Sequence, residues 1–115
     1  MDFKRADRVA GLIKEEISAI LQRELRDPRL TLSTITDVKV SDDLKCAKIY
    51  FVCDTKRQDS TKKGFEHSKG FIRKLIASRL KLRYTPDLRF YYDESFDYSS
   101  KIDKLLKEVK PEDDK

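Results

Sequence analysis

Histidine occurs once, as His67, and cysteine twice, as Cys46 and Cys53, seven positions apart in what reads as a single strand. An odd spacing along a strand sends the two thiols to opposite faces roughly 20 Å apart, which excludes both a mutual disulfide and a shared metal. One imidazole cannot form a ligand cluster, and neither a G-x-S-x-G elbow nor a P-loop is present. His67 is therefore expected on a solvated helix face. The adjacent carboxylates Asp93 and Glu94 would diverge on a strand rather than work as an acid and base pair, and they are expected to end it. No cofactor, metal or small-molecule substrate is expected.

Long apolar runs are missing as well. Nothing approaches the roughly 18 residues of a membrane span, and the opening "MDFKRADRVA" lacks the apolar stretch of a signal peptide, so a cytosolic protein is expected. Glycine is scarce, with three in 115 residues, and one of them, Gly70, stands inside the helical pattern of "HSKGFIRKLIASRLKLRYTP". In mid-helix it costs about 1 kcal/mol relative to alanine, so its placement asks for a reason.

What is abundant is charge: 41% of the residues are Asp, Glu, Lys or Arg, with 26 basic against 21 acidic and a net charge of +5. The excess is local. Residues 69–89 carry seven basic side chains and one acid, whereas residues 90–115 carry eight acids and five bases. A local positive field recruits polyanions by releasing their counterions, which makes nucleic acid the leading partner and an anionic membrane surface the lesser one. The length suits a single domain, expected over residues 1–110 and monomeric when free, with a short frayed acidic tail at 111–115.

Periodicity supplies the elements. Val9, Leu12, Ile13, Ile17, Ile20, Leu21 and Leu25 recur at three and four, an amphipathic helix ended by "RDPR" because Pro28 disfavours helical geometry at Asp27. "LTLSTITDVKV" alternates, with Leu32, Thr34, Thr36, Val38 and Val40 on one face and Ile35, Asp37 and Lys39 on the other. After the turn formers "SDDL", Ala47, Ile49 and Phe51 share a face opposite Lys48, Tyr50 and Val52, completing a hairpin. In "DTKRQDSTKKG", Asp59 or Ser60 could cap a short helix carrying Phe65. Phe71, Ile72, Leu75, Ile76, Leu80 and Leu82 form a second helix after Gly70, ending near Tyr84 as Pro86 approaches. "DLRFYY" sets Leu88, Phe90 and Tyr92 against Arg89 and Tyr91, and a box from Ser100 to Asp103 opens a last helix with Ile102, Leu105, Leu106 and Val109. A helical crossover normally joins parallel strands, so a three-stranded mixed sheet packed with helices is predicted.

The segments "DPRL", "STITDVKVSDDLKCAKIY" and "KGFIRKLIASRLKLRYTPDLRFYYDES", in this order from Arg5 to about Leu106, resemble the bacterial ribosome-binding factor A family. The resemblance implies an α+β, type II KH-like domain in which the G-x-x-G loop between two central helices is replaced by an A-x-G kink. Here that kink reads Ser68-Lys69-Gly70, serine standing where the family has alanine. It also implies a non-enzymatic factor that binds the immature small (30S) ribosomal subunit, contacts 16S rRNA and assists its processing and late maturation, notably in the cold.

At about 100° per residue Arg73, Lys74, Ala77 and Lys81 fall together opposite Phe71 and Leu75, a basic face whose central alanine lets a phosphate backbone approach. Lys69 and Gly70 at the bend, Arg83 beyond it, and Arg5 and Arg8 at the start of the first helix complete the RNA-binding candidates. At that start the helix dipole disfavours cations. Arg79 falls in the apolar arc, where it would snorkel or pair with acids from elsewhere. Asp27, Pro28 and Arg29 are read as a helix end that aims the first strand, with Arg29 a further possible contact. Two alternatives stay open: a single-stranded RNA module using Lys39, Lys48, Tyr50, Arg89 and Tyr91 on the sheet, and a protein-interaction domain docking through its acidic C-terminal helix.

Overall fold

The stripe at three- and four-residue spacing winds Phe3–Arg23 into α1 and turns Val9, Ile13, Ile17 and Ile20 into the core. The computed structural model describes residues 3–95, so the helix expected from Ser100 and the tail at 111–115 lie outside the described residues. The helix ends before the proline. Asp27 then takes the extended backbone that precedes proline (φ −79°, ψ 117°), and its carboxylate accepts from the Arg29 amide to cap a 3-10 turn over Pro28–Leu30.

Strands β1 (Thr34–Val40), β2 (Cys46–Val52) and β3 (Asp87–Tyr92) form one sheet in the order β1-β2-β3. The pair β1–β2 is antiparallel and β2–β3 parallel, as expected of a hairpin followed by a helical crossover. Alternation holds in β2 and β3: Ala47, Ile49, Phe51, Leu88 and Phe90 are buried. It fails in β1. A bulge between Ile35 and Asp37 inserts Thr36 and shifts the register, so Ile35 and Val38 both face the core although strict alternation puts them on opposite sides. The Thr36 hydroxyl donates to Asp93 Oδ2 at 2.5 Å, just past the end of β3.

The crossover is one helix, α2 (Gln58–Leu80), where the sequence pattern suggests two meeting at Gly70. Neither Asp59 nor Ser60 caps it; a 3-10 turn over Thr55–Arg57, capped by Asp54, leads in. Its buried positions, Thr61, Gly64, Phe65, Ser68, Ile72 and Ile76, form a continuous stripe that runs through the small-residue triplet without interruption in the helix. Gly64, rather than Gly70, is where a side chain is sterically limited: a Cβ there would lie 3.0 Å from Leu30 Cδ2, whereas one at Gly70 would meet nothing within 4 Å. Phe71 belongs to the expected apolar arc yet is 45% exposed. Both helices contribute to one core with all three strands, in two layers.

Candidate nucleic-acid interface

Lys81 ends α2. It takes left-handed backbone (φ 52°, ψ 40°) as the C-cap, its N–H donating to the Ala77 carbonyl, so it leaves the helical face that a longer helix would have given it. The other three members of that face come together: Arg73, Lys74 and Ala77 line a shallow groove of about 270 Å³ with Gly70 and Thr85. Within it the two cations differ. Lys74 is exposed, while Arg73 is half-buried and donates from Nε to the Pro86 carbonyl at 3.1 Å and from Nη2 to the Thr85 carbonyl at 3.0 Å.

Arg73 is thus a structural clamp that fixes the link between α2 and β3, a role the helical wheel alone does not reveal. Charge-assisted hydrogen bonds of this kind are each worth about 1.5–3 kcal/mol. Arg73→Ala is expected to lower stability by about 2 kcal/mol in a denaturant melt. Arg73→Lys should recover little of it, because one ammonium cannot reproduce the guanidinium fork on two adjacent carbonyls. A melt unchanged in both variants would dismiss the clamp.

Arg5, Arg8 and Arg83 converge in a second cleft of about 400 Å³, whose walls include Asp42, Asp43, Leu44 and Pro86. The first two project from the opening turns of α1 and the third from the α2–β3 link, so only the fold brings them together. Asp43 is held below the ordinary carboxylate range by the Ser41 hydroxyl and then by the Lys45 amide. Arg83 lies over the ring of Tyr84, 5.6 Å from its centroid, and Tyr84 is 72% exposed at the cleft mouth. Thr85 lines the first groove and its neighbour Pro86 the second cleft, and Arg73 holds the carbonyls of both.

The remaining cations divide by partner. Lys69 pairs with Glu66 at 3.0 Å, one turn earlier on α2. Arg79 pairs with Glu16 at 3.4 Å and with Glu24, both on or just after α1, as its place in the apolar arc suggests. Hydrogen bonding to Arg79 holds the Glu24 carboxyl below its ordinary value. Arg29 is engaged with Asp27 through Nε and Nη2, consistent with a local structural role. Among the described residues no group of His, Cys, Asp and Glu could hold a metal ion, both cysteines are free, and no helix is long and apolar enough to cross a membrane.

Two helices on one face of a mixed three-stranded sheet, with cations collected around the end of the second helix, define a KH-like α+β domain. The family model for ribosome-binding factor A matches residues 5–106. A ribosome-binding factor A from Syntrophus aciditrophicus is 52% identical over 114 residues, covering 97% of this chain and 93% of the relative. The chain belongs to the ribosome-binding factor A family. Among solved structures, the crystal structure of ribosome-binding factor A from Thermus thermophilus superposes with a TM-score of 0.69 at 22% identity, over 76% of this chain and 94% of that one. A homology model of the Thermus thermophilus ribosome-binding factor A, fitted into a cryo-EM map of its complex with the 30S subunit, gives a TM-score of 0.62 at 22% identity, over 74% of this chain and 91% of that one.

Proposed function

We propose that this protein binds the immature small ribosomal subunit through 16S rRNA and assists late maturation and processing of that rRNA, as a cytoplasmic, non-enzymatic factor. The observation that carries the reading is the match to ribosome-binding factor A along nearly the whole chain. The paired clefts supply a physical means: Arg5, Arg8 and Arg83 on one side and Arg73 and Lys74 on the other present positive charge to a phosphate backbone. Lys69, paired with Glu66, and Lys81, the C-cap of α2, are further cations of the same helix. No bond is made or broken; the protein holds one rRNA conformation until a later step displaces it. Co-sedimentation of the full chain with immature small subunits tests this, and no binding at low salt would sink it.

Of the triplet Ser68-Lys69-Gly70, Gly70 enters the reading as a place of close backbone approach, since Ser68 is buried and Lys69 is paired with Glu66. Gly70 is exposed on the groove floor with open space around it, so a phosphate could come nearer there than beside any side chain. The same openness means that Gly70→Ala should stabilise the helix by about 0.5–1 kcal/mol. A raised melting temperature with weakened subunit binding is expected. If binding is unchanged, Gly70 has no part in the interface.

A further inference from the structure

The sheet face turned away from the helices carries a row of cations that folding alone does not favour. In register, Lys39 of β1 stands opposite Lys48 of β2, and Lys48 stands opposite Arg89 of β3. All three are exposed. Like charges directly opposite across strands are destabilising, and the row is only partly relieved by Asp87, which pairs with Arg89 at 3.3 Å.

Beside the row lies an aromatic platform. Tyr50 and Tyr91 are register partners on β2 and β3, their ring centroids 5.7 Å apart and their planes inclined at 32°. Each has a cation over its ring: Lys39 Nζ lies 5.6 Å from the Tyr50 centroid, and Lys62 Nζ, from α2, lies 5.8 Å from that of Tyr91. Both tyrosines are half-buried.

Adjacent aromatic rings bordered by a line of cations are what an unpaired nucleotide strand requires: π-faces on which bases stack, and positive charge along its phosphates. An acidic polypeptide would satisfy the cations, but only a nucleic acid brings a stacking base with every phosphate. We infer that this open sheet face is a second RNA-binding surface, taking a single-stranded segment with a base stacked on Tyr50 and Tyr91 and phosphates along Lys39, Lys48 and Arg89. It shares no residue with the two clefts, and its test needs no ribosome.

The probe is a fluorescently labelled oligoadenylate of about a dozen nucleotides, titrated with the full chain at low salt. The double variant Tyr50→Leu, Tyr91→Leu is expected to lose at least about tenfold in affinity, whereas Tyr50→Phe, Tyr91→Phe keeps it, because the stacking surface remains. Arg8→Glu with Lys74→Glu should reduce oligonucleotide binding less than the leucine pair does. Lys48→Glu replaces two like-charge pairs with opposite ones, so it should lose at least about tenfold in affinity while its melting temperature rises by about 1–5 °C. Equal affinity of wild type and the leucine pair overturns the inference, as does no binding by wild type. Binding of oligoglutamate as tight as that of the RNA would assign the face to an acidic polypeptide instead.

Discussion

Reversing Arg8 and Lys74 together, as Arg8→Glu and Lys74→Glu, is expected to weaken binding to immature small subunits by about 100-fold at low salt and to leave thermal unfolding nearly unchanged. The two residues sit on different clefts, are exposed, and form no ion pair with another described residue. Surface substitutions of that kind change stability by about 0.5 kcal/mol or less. Each cation that meets a phosphate releases about 0.7–0.9 counterions, so the double variant should also flatten the dependence of log affinity on log salt by about 1.5. Arg73 is a poor choice for the same test, because its removal frees the Thr85 and Pro86 carbonyls and confounds binding with folding. Sedimentation across a salt series gives both readouts, and superimposable curves for wild type and variant would remove these clefts from the interface.

Phe65→Ala should lower the unfolding free energy by about 3–5 kcal/mol, the usual cost of emptying a buried phenylalanine site. Phe65 is fully buried and stacks on Phe90 with centroids 4.7 Å apart and planes at 10°. It also meets Phe51 at 5.0 Å, and Phe51 meets Tyr92 edge-on at 5.7 Å. One side chain thus joins α2 to the central strand β2 and to its parallel neighbour β3. For a domain of this size the loss corresponds to a melting temperature lower by roughly 15–30 °C. A change of less than about 1 kcal/mol would mean that the neighbouring rings collapse into the space.

The architecture was largely legible because β2 and β3 alternate cleanly and α1 carries an unbroken apolar stripe. What misled was local. The bulge at Thr36 adds a residue that no alternation rule announces, so Ile35 reads as facing away from the core it occupies. The stripe of α2 continues through Thr61, Gly64 and Ser68, three residues a hydrophobic pattern passes over, and without them Phe65 and Ile72 look like parts of separate helices.

The candidate interface was legible as composition but not as geometry. A block of basic residues between 69 and 89 announces a polyanion partner, yet which of them meet depends on how the chain turns. Lys81 leaves the face because the helix stops in a left-handed residue, and left-handed lysine is uncommon enough to escape prediction. Arg73 turns inward because two carbonyls of the following loop come within its reach. Arg5 and Arg8 lie more than seventy positions from Arg83 in sequence, and the cleft joining them is a product of topology.

Thr85 on one cleft and Pro86 on the other are consecutive residues, and Arg73 anchors both carbonyls to α2, which sets the separation of the two clefts. On the proposed reading the molecule works as a caliper: what it measures is the gap between two backbone segments of folded rRNA, whatever their base sequence. A subunit whose strands stand at another spacing engages one jaw only.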